Sequence, residues 1–199
     1  YVNHRRQHAA RPAPSRTLPI ARNKAMWALA ILILLTATKN VYMASISSYF
    51  TFYVIDKFHL DVRDAQLMLF LFLGSVAAGT IMGGPVGDRF GARFVIWFSI
   101  LGVIPFALMM PYANLFWTCV LTVIIGLVLA SAFPAIVVFA QELIPGRVGL
   151  IGGIFFGFAF GAGGLGAAAL GDFADTHGIP FVYTLCSYLP LLGLFTIFL

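Results

Sequence analysis

From residue 25 onward the chain is a succession of apolar stretches, each about as long as a bilayer's hydrocarbon core is thick. At 1.5 Å per residue, about 20 helical residues cross a core of about 30 Å. The stretches fall at 25–55, 65–87, 93–112, 114–140, 148–171 and 179–199. A soluble domain is about 45–50% apolar and about 25% charged. This chain is 61% hydrophobic and 10% charged. The contrast excludes an ordinary soluble globule, a disordered chain and a collagen. The reading is an all-α membrane protein of six transmembrane helices, since in lipid each helix satisfies its own backbone.

The breaks carry turn and charge signals. Asp56 to Asp64 is a charged loop, Gly87 to Arg93 is short and charged, and Pro111 to Asn114 is a tight turn. Pro145-Gly146 and Gly178 with Pro180 mark the last two breaks. Pro105 and Pro134 lie mid-span and are expected to kink the third and fourth helices. Residues 1–24 are basic and proline-rich and read as a linker. A cleaved signal peptide with Ala25–Ala37 as its apolar region is the competing reading, but the apolar pattern runs on to Tyr53. The chain starts without Met and stops within an apolar run, so a fragment of a longer protein is expected.

Charge placement sets the orientation. Arg5, Arg6, Arg11, Arg16, Arg22, Lys24, Arg89, Arg93 and Arg147 fall on the tail's side, and Lys57 and Arg63 on the other. The positive-inside rule then puts the tail in the cytoplasm of a membrane crossed several times. Because the net charge of +5 follows topology, it does not argue for nucleic acid. Cys119 and Cys186 lie in apolar runs and do not suggest a disulfide framework. His4, His8, His59 and His177 are in loops or the tail, no carboxylate lies within a span, and no metal-ligand spacing or Walker loop occurs. The expectation is therefore no enzyme, no metal and no cofactor.

All 20 glycines follow residue 73. In the second span Ser75, Gly79, Gly83, Gly87 and Gly91 recur every four residues, and in the fifth Gly149, Gly153, Gly157 and Gly161 do the same. Such spacing puts them on one helix face, where another backbone can come close. That face could serve static packing or a surface that slides against another bundle. Matched ladders on the second and fifth of six helices point to a three-plus-three repeat.

Lys39 breaks the apolar rule. It lies about 14 residues, roughly 21 Å, into the first span. A central lysine costs about 2.5–3.5 kcal/mol on insertion scales, which a partner, water or a ligand must offset. Lys39, Tyr42, Ile46, Tyr49 and Tyr53 share a stripe at spacings of three and four, with Asn40 and Ser45 beside it. One ammonium with three phenols could face a watery cavity and hold an anion. A structural ion pair or snorkelling is the other reading. No membrane carboxylate exists in the chain, so a pairing partner would lie elsewhere.

The second charged constellation runs Gly84-Pro85-Val86-Gly87-Asp88-Arg89-Phe90-Gly91-Ala92-Arg93. Gly91 permits a tight reversal, and Asp88 could face a helix N-terminus. The pattern G-x-x-x-D-R-x-G-x-R resembles the loop between the second and third helices of each half of the major facilitator superfamily. The strings Tyr42–Tyr49 and Gly157–Gly166 resemble that superfamily's fosmidomycin-resistance branch. The resemblance covers the chain from about residue 24 as the six helices of the C-terminal half, residues 25–199, with residues 1–24 as the cytoplasmic linker.

What the resemblance implies goes further. The family has twelve helices in two halves with substrate held between them near the bilayer midplane. Lys39, Asn40, Tyr42, Tyr49 and Tyr53 would then bind substrate. Gly79, Gly83, Gly149, Gly153, Gly157 and Gly161 would pack at the interface between halves. Gly84, Asp88, Arg89, Gly91, Arg93, Glu142 and Arg147 would form a cytoplasmic gate, with Asp88 at the start of the fifth helix near Val148–Gly149 and Arg93 paired with Glu142. The implied function is efflux of a small anionic drug or metabolite, such as a fosmidomycin-like phosphonate, by alternating access. A proton gradient would drive it, although the chain holds no proton-carrying acid. The implied partners are the lipid bilayer, the missing N-terminal six-helix half and the small anionic substrate. The alternatives are a non-transporting truncated bundle or scaffold and an importer of an anionic nutrient.

Overall fold

A computed structural model describes residues 22–144 and 146–198, with side chains placed for 26–144 and 146–194. The expected linker over residues 1–21, with Arg5, Arg6, Arg11 and Arg16, lies outside the described residues. Six helices follow in order: α1 (Arg22–Phe58), α2 (Val62–Phe90), α3 (Ala92–Met109), α4 (Leu115–Leu143), α5 (Val148–His177) and α6 (Ile179–Ser187). No strand occurs among the described residues. Five of the six are long and apolar enough to cross a membrane. Most run several residues beyond the apolar windows, into Arg89, Asp172 and Asp175, because a helix end in water still gains its own hydrogen bonds. Likewise α1 begins at Arg22, inside the stretch read as linker.

The sixth span departs from expectation. Its α-helix ends at Ser187, and a 3₁₀ helix continues over Leu189–Phe198. Pro190 has no N–H for the Cys186 carbonyl, and its ring crowds that carbonyl. The backbone tightens instead to three-residue bonds, Tyr188 N–H to Leu185 O at 3.1 Å and Leu191 N–H to Tyr188 O at 3.0 Å. About 13 Å of α-helix and about 20 Å of 3₁₀ helix together still match the hydrocarbon thickness.

The chain folds as two interleaved three-helix units. The most extensive pairing is α2 with α4, followed equally by α1 with α5, α3 with α4, and α1 with α6 and its 3₁₀ extension. Exchanging the first three helices for the last three maps each pairing onto another. The reversals agree too: Gly91 between α2 and α3 has φ 89° and ψ 146°, and Gly178 between α5 and α6 has φ 86° and ψ 158°. In each, the glycine N–H caps the preceding helix, on Gly87 O at 2.8 Å and Ala174 O at 2.9 Å. Positive φ is what glycine supplies at such corners. At the start of α4, the Asn114 side chain accepts from Trp117 N–H at 3.0 Å.

Side-chain packing forms two apolar cores at different depths. One, toward the tail's side, gathers Leu32, Leu35, Val95, Ile96, Ile100, Ala132, Ile136 and Phe155. The other, toward the opposite side, gathers Tyr42, Ile46, Phe50, Phe72, Val103, Leu129, Val182 and Tyr183. The boundary falls between Leu35 and Tyr42 on α1, Ile100 and Val103 on α3, and Leu129 and Ala132 on α4. That boundary layer carries the polar residues described next.

Candidate functional site

Lys39 is the eighteenth of the 37 residues of α1, midway along it, in the layer between the two cores. Its Nζ donates to Ser99 Oγ on α3 at 3.0 Å. Ser99 is fully buried and donates in turn to Val128 O on α4 at 2.6 Å. One short chain of hydrogen bonds thus joins α1, α3 and α4. An ammonium has three donors, and Ser99 takes one. Among the described residues, no carboxylate pairs with Lys39.

Lys39 also borders a hollow of about 250 Å³. From α1, Thr36, Asn40 and Met43 line it, and α4 supplies Leu129, Ala130 and Phe133. Val76 and Thr80 of α2 and Ala159 and Phe160 of α5 stand at its flanks. The hollow is therefore mostly apolar, with a few polar groups drawn from one stretch of α1. Asn40 donates through Nδ2 to Thr36 O at 2.8 Å, which leaves its amide oxygen as an acceptor.

The tyrosines lie elsewhere. Tyr42 and Tyr53 are buried in the core, and Tyr53 stacks on Tyr183 of α6 with ring centroids 3.9 Å apart. Tyr49 donates to Ala167 O on α5 at 2.7 Å. The expected stripe facing a cavity is thus corrected: of the three phenols, Tyr42 lines a smaller hollow together with Lys39 and Thr38, and none lines the 250 Å³ hollow. Apolar rings gain more from a helix-packed core than from a wet face, and the ring carries the phenol with it. The α1 residues that reach the larger hollow are Thr36, Lys39, Asn40 and Met43, on the face about 100° around from the tyrosine stripe.

The two glycine ladders separate. A β-carbon at Gly79 or Gly83 would strike the Leu127 or Ser131 carbonyl of α4, so these glycines close the α2–α4 contact inside the bundle. Gly149, Gly153, Gly157 and Gly161 meet nothing within 4 Å. It is Gly163 and Gly166 that bring α5 against α1, where a β-carbon at Gly166 would meet the Val41 methyls at 2.7 and 2.8 Å.

At the tail-side ends, Gly84, Asp88, Gly91, Arg93 and Glu142 border one hollow of about 680 Å³. The pairings expected within it are not formed. Arg93 lies over the Phe139 ring, 5.1 Å from its centroid, and makes no ion pair with Glu142 among the described residues. Asp88 makes no hydrogen bond to the start of α5 among the described residues. The reason is topological: α2 packs on α4, α1 and α3, whereas α5 packs on α1, α6 and α4. Arg89 sits over Phe90, 5.6 Å from its centroid, and Arg147 is the exposed N-cap of α5.

Two residues escaped the sequence reading. Ser99 is the one hydroxyl of α3, and a lone hydroxyl in an apolar span gives no sign of its partner. Lys57, counted as a loop charge, donates to Pro111 O at 2.6 Å, Ala113 O at 3.0 Å and Tyr53 Oη at 2.9 Å. It ties the far end of α1 to the turn before α4.

Comparison with known proteins adds a family. The model of the Major Facilitator Superfamily matches residues 29–199. Over all 199 residues the chain is 58% identical to the fosmidomycin resistance protein of Escherichia coli (strain K12) and spans 49% of its length. Over 150 residues, 75% of the chain, it is 43% identical to an uncharacterized MFS-type transporter, YfnC, of Bacillus subtilis (strain 168), and spans 37% of that protein. The chain thus spans about half the length, or less, of these relatives.

Proposed function

Since the chain belongs to the Major Facilitator Superfamily, we propose that it is the C-terminal six-helix half of an efflux transporter exporting a small anionic drug or metabolite. The substrate class is a fosmidomycin-like phosphonate, after the name of the relative that is 58% identical. The protein sits in a bacterial inner membrane with its tail in the cytoplasm, in keeping with the basic residues on that side. Alternating access driven by a proton gradient moves the substrate outward. The proton-carrying acid belongs to the other half, as no carboxylate lies near Lys39 among the described residues.

The observation that carries this reading is the Lys39 ammonium at the midpoint of α1, beside a 250 Å³ hollow and with no carboxylate paired to it among the described residues. An anion entering there meets a charge it can neutralise in a low-dielectric setting, where a charge-assisted hydrogen bond is strong. Asn40 and Thr80 add polar groups around it. The test is drug susceptibility of cells carrying the full-length gene with Lys39→Ala. Fosmidomycin resistance is lost while the protein's membrane abundance holds. Resistance at the unaltered level overturns the reading.

A further inference from the structure

The Ser99 hydroxyl links Lys39 of α1 to the Val128 carbonyl of α4. We infer that Ser99 is a positioning residue that holds the Lys39 ammonium at the seam between α1 and α4, ready for an anionic substrate. The inference rests on the efflux reading above and deepens it.

The argument starts from what a lysine does when nothing restrains it. Its four-carbon stem is flexible, and burying it in one rotamer costs up to about 2 kcal/mol of entropy. From the middle of α1, an unrestrained ammonium would spread over several positions. An anion site built on a mobile charge loses affinity, because each binding event must first order it. Ser99 removes that freedom. It is fully buried, lies one helix behind the seam, and accepts from Lys39 Nζ at 3.0 Å.

The hydroxyl can do this because its proton is already committed. Ser99 Oγ donates to Val128 O at 2.6 Å, so it offers Lys39 lone pairs. Such a chain polarises each bond in it. The serine holds the ammonium without neutralising it, since a hydroxyl brings no charge. A carboxylate in its place would have held the lysine and cancelled the attraction for an anion. Two N–H donors of Lys39 remain for substrate or water. Among the other residues lining the smaller hollow beside Lys39, Thr38 and Tyr42 carry hydroxyls and none carries a charge.

The test uses the purified full-length transporter and fosmidomycin as the probe, with the dissociation constant read by titration. Ser99→Ala raises Kd about tenfold, the scale of one lost hydrogen bond to a charged group, while Ser99→Thr keeps the hydroxyl and restores binding. In a Lys39→Ala background, adding Ser99→Ala changes Kd no further, because the hydroxyl acts only through the lysine. A structural role would instead weaken both backgrounds alike. Unchanged or tighter binding in Ser99→Ala overturns the inference while leaving the efflux reading intact if Lys39→Ala still raises Kd. If Lys39→Ala binds fosmidomycin as before, the efflux reading itself fails. Should the threonine methyl disturb folding, the Lys39 and Ser99 alanine cycle decides alone.

Discussion

At the scale of single residues, two lysines of one helix have opposite work. Lys57 spends all three of its N–H groups on Pro111 O, Ala113 O and Tyr53 Oη, so it is a structural clasp. Lys39 spends one on Ser99 and keeps two. Lys57→Met is expected to lower the stability of the detergent-solubilised full-length protein by about 1–2 kcal/mol, seen as a fall in Tm with substrate affinity unchanged. A fall in affinity without a fall in Tm would contradict the assignment. Asp88 is exposed and unpaired among the described residues, as a gate residue whose partner lies in the other half would be. Asp88→Asn should therefore slow transport turnover several-fold while fosmidomycin Kd stays within about twofold. Loss of binding alone would remove Asp88 from the gate. Lys39 was legible in the sequence because an ammonium among apolar residues stands out. Its serine partner was not, since a single hydroxyl is common in membrane helices and only the fold brings residue 99 beside residue 39.

At the scale of elements, glycine spacing recorded close approach but not which neighbour approached. Both ladders repeat every four residues, yet Gly79 and Gly83 are closed against α4 while Gly149 to Gly161 are open. The period of a pattern gives a face, and only packing says what lies opposite it. Helix number and order were legible because lipid leaves the backbone few choices. The 3₁₀ continuation after Ser187 was foreshadowed by Pro190, which the apolar count passed over. These contrasts predict opposite outcomes for one substitution. Gly83→Leu forces a side chain into the Ser131 carbonyl and is expected to abolish stable insertion, measured as protease-resistant protein in membranes. Gly157→Leu meets open space and leaves the six helices assembled. In the full-length transporter it should nevertheless reduce fosmidomycin resistance, because the open face is where another bundle would press. Full resistance with Gly157→Leu would show that no such contact exists.

At the scale of the whole molecule, the six helices carry a polar layer between two cores and a hollow beside Lys39. Its relatives are about twice as long. Residues 22–199 expressed alone should insert as helices and confer no fosmidomycin resistance. Co-expression with the separate other half of the same gene should restore it, and resistance from the fragment alone would refute the two-half reading. The exchange of α1 and α5 with α4 and α2 has a mechanical result. Each trio of helices is threaded through the other, as fingers of two hands are laced. Neither can be drawn away without tearing apart both cores. Such a braced body passes torque along instead of yielding to it, so any rocking that carries cargo must pivot at its rim.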